Sequence, residues 1–176
     1  MEHLSRAEIK QDTNAAIIVI KNVADWLNET GLETGVWWDP ANMNLDFLGQ
    51  YAKPDEFFVA IVEGRPAAAA IIQQEQTAQD WSSVDKGSPP KAMYVHWIAV
   101  EREFAGKGLP TILINHAEKL ALENDISVVR LDTNADEPKL CNLYESLGFN
   151  RVSTEQEGDH KTALYEKPVN GSTSIV

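Results

Sequence analysis

The chain has 176 residues, a formal net charge of −12, 43% hydrophobic residues and 24% charged residues. This length and balance are typical of one folded domain and exclude a disordered chain. The negative charge disfavours nucleic acid as a partner, because it repels a phosphate backbone, and it would attract a cationic substrate.

Three features of the chain bear on its location. The longest apolar runs, 15–20 and 67–72, are too short to span a bilayer, so we expect no membrane partner. No apolar segment of a signal peptide directly follows residues 1–6. A single cysteine excludes a disulfide within the chain. We therefore expect a cytoplasmic protein with one domain over residues 1–168 and a flexible tail over 169–176.

The first half of the chain predicts a strand, two helices and a hairpin. Asp12 or Thr13 can cap a helix whose apolar stripe includes Ala16 and Ile20. Two apolar runs separated by a glycine turn are typical of paired strands. The predicted elements are a strand at 4–9, a helix from 12 or 13 to about 29, a loop at 35–40, a short helix capped by Asn42 or Asn44 that runs through Leu48 and Tyr51, and strands at 56–62 and 66–74.

The second half predicts strands that alternate with helices. Residues 77–91 are rich in Ser, Gly and Pro and predict a long loop. The elements that follow are a strand at 93–100, a helix at 109–124, a strand at 127–133, a helix at 138–147, and strands at 150–154 and 162–167. The strand-helix-strand order predicts one parallel pair with a right-handed crossover. We therefore expect an α/β fold with a mixed, mostly antiparallel central sheet flanked by helices.

The most informative segment runs from Ile98 to Thr111, where a strand leads through a glycine turn into a helix. The first amides of a helix lack internal partners and can bind phosphate, and glycines let an anion approach closely. A nucleoside-triphosphate loop is excluded because it needs the motif G-x-x-x-x-G-K-[ST], which Gly106-Lys107-Gly108-Leu109 does not supply. A dinucleotide turn, a coenzyme A diphosphate loop and a plain linker remain open.

The dinucleotide interpretation has evidence on both sides. Asp132 ends the next predicted strand, as a ribose-binding carboxylate would. However, Thr111 occupies the third glycine position, and five residues separate Val100 from Gly106. A dinucleotide turn starts almost at the end of its strand, which disfavours this interpretation.

A second segment, Leu143-Tyr144-Glu145-Ser146-Leu147-Gly148-Phe149, ends the last predicted helix. Together with the glycine turn it resembles the GNAT family of N-acetyltransferases, whose motifs are Q/R-x-x-G-x-G/A and L-Y-x-x-x-G-F. The resemblance covers most of the chain and is closest from Tyr94 to Phe149. It implies a GNAT-like sheet in which the parallel pair splays apart, and acetyl-CoA as cosubstrate with no metal.

Two residues depart from the family pattern. Ala105 stands at the Gln/Arg position, so a side chain near the diphosphate is missing while its amide remains. Pro110 stands at the last Gly/Ala position and has no amide hydrogen, although proline is tolerated in the first turn of a helix. Thr111 can partly substitute through its hydroxyl.

The resemblance also implies roles for individual residues. Tyr144 is implied as the general acid that protonates the departing thiolate, and a core tyrosine is the alternative. An amide near Ile98 is implied to polarise the thioester carbonyl. The residues implied to contact the coenzyme are Ile98, Ala99, Val100, Ala105, Gly106, Lys107, Gly108, Leu109, Pro110, Thr111, Asn134 and Lys139.

The general base and the acceptor site are less defined. His96 is a candidate base, since imidazole titrates near neutral pH, and the alternatives are Glu75, Asp80 or a water relay. Cys141 is expected to be an inert apolar residue rather than a nucleophile. The four histidines lack metal-ligand spacing, so no metal is expected. Aromatic residues in predicted loops suggest a slot for a cationic amine, lined by Trp37, Trp38 and Trp81, and lids over the core are the equal alternative.

These observations predict transfer of an acetyl group from acetyl-CoA to a primary amine of a small molecule or peptide, by direct attack in a ternary complex. A non-catalytic coenzyme A-binding module of the same fold is an alternative. A nucleotide-dependent oxidoreductase is disfavoured by the position of the glycine turn. Dimers are common among such enzymes, so a homodimer is one expected state.

Overall fold

The computed structural model describes residues 7–32, 35–75 and 79–170. The strands are β1 (Glu8–Gln11), β2 (Phe57–Val62), β3 (Arg65–Gln73), β4 (Met93–Val100), β5 (Val128–Asn134), β6 (Asn150–Glu157) and β7 (His160–Pro168). The helices are α1 (Thr13–Glu29), α2 (Leu45–Leu48), α3 (Leu109–Glu123) and α4 (Pro138–Ser146).

The strands form one seven-stranded sheet in the order β1-β2-β3-β4-β5-β7-β6. β4 and β5 run parallel, with Tyr94 opposite Arg130, whereas the pairs β1–β2, β2–β3, β5–β7 and β6–β7 are antiparallel. The predicted fold class, a mixed and mostly antiparallel sheet with one parallel pair and flanking helices, is confirmed.

Some predicted boundaries were wrong. The first strand was expected at 4–9 but lies at Glu8–Gln11, and residues 1–6 are outside the described residues. β6 was predicted at 150–154 but continues to Glu157. β7 was predicted at 162–167 but begins earlier, at His160. Their turn-proximal residues are mostly exposed and polar, so no hydrophobic alternation marks them. Of the predicted tail, Val169 donates its amide to the Ser127 carbonyl at 2.8 Å, and 171–176 are not described.

The described residues fall into two compact units, whose boundaries lie at the end of β3, within β4 and within α3. Of the described residues, the first unit contains 7–32, 35–73 and 97–116, and the second contains 74–75, 79–96 and 117–170. In the first unit the Asp12 carboxylate accepts a hydrogen bond from the Ala15 amide at 3.0 Å, so Asp12 caps α1 as predicted. The buried stripe of α1, which includes Val19 and Ile20, packs against β2 and β3.

The second unit contains a buried cation, Arg130 on β5, whose side chain is 1% exposed. Its guanidinium donates to both carboxylate oxygens of Asp85 at 2.6 and 2.8 Å and to Glu166 on β7 at 2.9 Å. It also lies 4.4 Å from the ring centroid of Trp81. Because Asp85 and Trp81 belong to the segment before β4, Arg130 attaches that predicted loop to the sheet of the second unit.

Replacement of Arg130 by Met should destabilise the protein by about 3 kcal/mol or more, because the carboxylates of Asp85 and Glu166 would lose their partner within the fold. Urea unfolding would measure the change. Arg65→Met is the control, since Arg65 pairs with Glu103 at an exposed site and its loss should cost about 1 kcal/mol or less. Equal losses in the two variants would contradict a structural role for the buried pair.

Candidate active site

The glycine turn lies in the first unit, between β4 and α3. Gly106 and Gly108 have φ angles of 77° and 78°, in the left-handed region that favours glycine. The Gly108 carbonyl accepts the first helical hydrogen bond, from the Ile112 amide at 3.3 Å, so Gly108 is the N-cap of α3. A Cβ atom built at either glycine would meet nothing within 4 Å, so space lies open beside the turn.

The amides of this turn are its main chemical feature. Within the first unit, Gly106, Lys107, Gly108, Leu109 and Thr111 donate no backbone hydrogen bond to a described residue. Pro110 contributes no donor, as expected. The Ala105 amide, by contrast, donates to the Arg102 carbonyl at 3.2 Å and is therefore engaged. Successive unpaired N–H groups at the start of a helix favour an anion.

Two cations surround Phe104, the residue just before this turn. Phe104 is buried, and the guanidinium of Arg65 and the ammonium of Lys107 lie 5.2 and 5.6 Å from its ring centroid. These distances fit cation–π contact, and Arg65 is also paired with Glu103, so Lys107 is the cation at the turn to which no described carboxylate is paired. Phe104 and Arg65 were missed by sequence reasoning, because the contact joins β3 to a residue distant in the chain.

Contacts with α1 fix the segment that leads into the turn. Asn22 donates to the Glu101 carboxylate at 2.7 Å, and the Arg102 guanidinium lies 3.9 Å from the Trp26 ring centroid. The Glu101 amide also donates to the Ala67 carbonyl of β3 at 2.9 Å. These contacts fix the position of residues 101 and 102, from which the turn begins, against α1 and β3 of the first unit.

The end of β4 carries a backbone irregularity that the sequence did not reveal. Trp97 has a φ of 48°, which is an outlier for a bulky residue and costs on the order of 1 to 3 kcal/mol. Of the three residues implied to face the coenzyme, Ala99 is buried, while Ile98 and Val100 are partly exposed. Such strained positions cluster at functional sites, and this one immediately precedes Ile98.

The tryptophans implied to line an acceptor slot occupy different surroundings. Trp37 is 37% exposed and belongs to an aromatic cluster with Phe47, Tyr51 and Trp97, whose neighbouring ring centroids lie 5.2 to 6.1 Å apart. The Trp97 indole N–H also donates to the Trp37 carbonyl at 2.8 Å. Trp38 is partly buried against the core of the first unit.

Trp81 was expected in a loop, either open to an amine or covering the core. The structure places it in the second unit, 5% exposed, with its ring 6.0 Å from Tyr94 and close to Arg130. Its ring is therefore packed within a core cluster rather than open to a ligand. Its partner Arg130 could not be predicted, because nothing in the local sequence pairs the loop with that distant residue.

Tyr144 lies on α4 in the second unit, and its side chain is buried. Its ring centroid is 6.2 Å from Phe149 and 6.3 Å from Tyr165. Burial raises the pKa of the Tyr144 phenol well above its ordinary value, and the charges of Asp132 and Cys141 raise it further. The phenol is therefore held in its protonated form, as a proton donor must be.

His96 faces a carboxylate that sequence reasoning did not assign to it. His96 is 8% exposed, and its Nδ1 atom lies 3.5 Å from the Oδ1 atom of Asp132 on β5. In the parallel register, Tyr94 on β4 lies opposite Arg130 on β5. His96 and Asp132 lie two positions further along the same two strands, so they are expected on the same face of the sheet. Asp132 had been considered only as a ribose ligand.

Three other predicted residues occupy the β5–α4 region. The side-chain oxygen of Asn134 accepts from the Asp136 amide at 2.9 Å, which makes Asn134 a turn-forming residue. Lys139 is exposed in the first turn of α4. Cys141 is buried, with its sulfur 3.7 Å from the Asn134 carbonyl.

Residues 20–149 match the acetyltransferase (GNAT) family. The chain belongs to this family. The uncharacterized N-acetyltransferase YesJ of Bacillus subtilis is 23% identical over 163 residues, which cover 92% of this chain and 87% of YesJ. The chain is accordingly a GNAT-type acyltransferase.

Solved GNAT structures share the fold. An acetyltransferase of the GNAT family from Listeria monocytogenes superposes with a TM-score of 0.66 at 25% identity, over 92% of this chain and 94% of that one. A Bacillus anthracis protein solved in complex with acetyl coenzyme A superposes with a TM-score of 0.53 at 16% identity, over 65% of this chain and 62% of that one.

Two structural findings on this GNAT chain concern membranes and metals. Among residues 7–32, 35–75 and 79–170, no helix is both long and apolar enough to cross a membrane. Within the same ranges, no group of three or more His, Cys, Asp or Glu side chains could hold a metal ion.

The raised pKa of Tyr144 predicts a dependence of stability on alkaline pH. Above about pH 10 the unfolded chain releases this phenol proton while the folded chain keeps it, so stability falls as pH rises. The stability advantage of the wild type over Tyr144→Phe should therefore shrink, by at most about 1.4 kcal/mol per pH unit. Urea unfolding of both proteins from about pH 8 to 11 measures it. A difference that stays constant across this range would contradict the burial of the phenol.

Proposed function

We propose that this GNAT protein transfers an acetyl group from acetyl-CoA to a primary amine of a small molecule or peptide, by direct attack in a ternary complex. The observation that carries the proposal is the set of amides at Gly106, Lys107, Gly108, Leu109 and Thr111 that lack acceptors within the first unit. The acetyl-CoA complex of the Bacillus anthracis structural neighbour supports acetyl-CoA as the ligand.

The amides fit a diphosphate better than a neutral ligand. Several N–H donors at a helix start favour a compact anion, and Lys107 adds positive charge at the same turn, while Arg65 is paired with Glu103. The missing donor at Pro110 and the engaged amide of Ala105 reduce the number of contacts that the turn offers. Ile98, Ala99 and Val100 are proposed to face the pantetheine arm, and Lys139 remains available for the 3′-phosphate.

The acceptor ammonium first releases one proton to solvent, and two proton transfers accompany the attack that follows. The neutral amine forms a C–N bond with the thioester carbonyl carbon, and the C–S bond then breaks. Tyr144 donates its phenol proton to the departing thiolate sulfur, and His96 accepts the proton that the amine nitrogen loses. Return of that proton to the Tyr144 phenolate through solvent completes the cycle. Burial keeps a proton on the Tyr144 phenol for donation, while the raised pKa makes the phenol a weaker acid, so donation requires that the thiolate develops in the same step.

The acceptor is proposed to be cationic in its resting form. The partly exposed indole of Trp37, with Trp38 beside it in sequence, offers an aromatic face to an ammonium group. The acidic charge of the chain favours the approach of such a substrate. Trp81, which is packed against Tyr94, is not included in this slot.

Coenzyme binding tests the turn through two matched glycines. Gly108→Ala and Gly64→Ala both place a methyl group at nearly the same φ, 78° and 76°, and in open space, so both should lose about 1 kcal/mol of stability. Gly108→Ala should also raise the Kd for acetyl-CoA about ten-fold, because the strained backbone would redirect the amides. Titration calorimetry measures both variants. An unchanged Kd in Gly108→Ala would exclude the turn as the diphosphate site.

Release of free coenzyme A thiol from acetyl-CoA with a panel of primary amines tests the reaction. Wild-type protein should release thiol with at least one amine, and Tyr144→Phe should lower kcat about 100-fold with the Kd for acetyl-CoA unchanged. Tyr165→Phe is the matched control, another buried tyrosine of the second unit, and should keep kcat within about three-fold.

Two outcomes would contradict this mechanism. Acetyl-CoA binding without thiol release for any amine would favour the non-catalytic coenzyme-binding alternative. Equal turnover of Tyr144→Phe and wild type would remove Tyr144 from the reaction.

A further inference from the structure

The carboxylate of Asp132 has an unusual environment. Its Oδ1 atom is buried and makes no hydrogen bond to a described residue of the second unit, although 26% of the side chain is exposed. A buried carboxylate oxygen without a donor is costly, so its position calls for a compensating charge or a function. The cationic side chain nearest in sequence, Arg130, is already paired with Asp85 and Glu166.

The fold itself directs Asp132 towards His96. The parallel register sets Tyr94 opposite Arg130, and the residues two positions further along each strand return to the same face. The rings of Tyr94 and His96 confirm this, since their planes are within 4° of parallel and their centroids 6.3 Å apart. Two residues beyond the paired Tyr94 and Arg130, His96 Nδ1 and Asp132 Oδ1 lie 3.5 Å apart.

We propose that Asp132 is a positioning residue, which holds the His96 imidazole with its proton on Nδ1 and so leaves Nε2 as the nitrogen that accepts the substrate proton. The proposal rests on the proposed acetyl transfer. A carboxylate only accepts hydrogen bonds, so the ring nitrogen that faces it carries the hydrogen. The 3.5 Å separation is wider than a hydrogen bond and leaves room for tightening when substrate binds.

The same carboxylate also acts on the proposed acid. The Asp132 charge is one of the causes that keep the Tyr144 phenol protonated, after burial, with Cys141 as the third. Within the second unit, Tyr94 on β4 packs beside His96, and Cys141 on α4 and Tyr165 on β7 lie beside Tyr144. When Nε2 takes the amine proton, the Asp132 charge offsets the positive charge of the imidazolium.

Nuclear magnetic resonance of the full ¹⁵N-labelled chain, without coenzyme, tests the positioning directly. At about pH 8.5, above the range in which imidazoles ordinarily titrate, the two ring nitrogens of each histidine report which one carries the hydrogen. Loss of signals in His96→Gln assigns the His96 ring among the four histidines. Wild type should show hydrogen on Nδ1. Asp132→Asn should shift His96 towards the other tautomer, because the amide presents a donor as well as an acceptor.

The second measurement is steady-state kinetics of Asp132→Asn, compared with Asp132→Glu and Asp125→Asn. Asp132→Asn should lower kcat about ten-fold or more while the KM for acetyl-CoA changes less than about two-fold. Asp132→Glu, which keeps the carboxylate, should restore hydrogen on Nδ1 and part of kcat. Asp125→Asn removes the same charge at an exposed turn position whose φ of 57° suits asparagine, and should change neither readout.

The results separate this inference from the proposed function. A wild-type His96 with hydrogen on Nε2, or an unchanged tautomer in Asp132→Asn, overturns the inference even if the protein is active. If no amine is acetylated, the proposed function fails, and the spectra alone decide whether Asp132 sets the tautomer. If Asp132→Asn misfolds, the Asp132→Glu spectrum decides, since hydrogen on Nε2 there overturns the inference.

Discussion

Peptide N–H groups at the start of α3 need an acceptor, and within the first unit the described chain supplies none for five of them. Unpaired donors at a helix start carry partial positive charge, so an anion is the ligand that satisfies them best. Gly106 and Gly108 make this possible, because their left-handed φ angles turn the backbone where a side chain would be strained. The contacts of Glu101 and Arg102 with α1 and β3 hold the turn in place.

The second unit buries charged and protonated side chains, among them Arg130 and Tyr144. Arg130 neutralises Asp85 and Glu166, and it attaches the segment that carries Trp81. Tyr144 stays protonated because burial removes the hydration that a phenolate would need. Asp132 faces His96 because the parallel register of β4 and β5 leaves no other residue of β5 at that position. Stability and proposed chemistry therefore depend on neighbouring positions of the same two strands.

Periodicity predicted most of the fold because α1, β2, β3, β4 and β5 bury an apolar stripe or face. It missed the ends of β6 and β7, where exposed polar residues carry no pattern. Trp81 contacts Arg130, which lies in a distant segment of the chain, and the local sequence contains no signal for such a contact. The Asp132–His96 pair follows from the register of β4 and β5, which the sequence did not predict, since it indicated only that the two strands are parallel. The positive φ of Trp97 could not be predicted from the sequence, because bulky residues rarely adopt this conformation.

A crystal structure of the protein with coenzyme A tests the central claim most directly. The account predicts that diphosphate oxygens accept hydrogen bonds, within about 3.2 Å, from amides of Gly106, Lys107, Gly108 and Leu109. A diphosphate bound elsewhere, with these amides left to solvent, would contradict it.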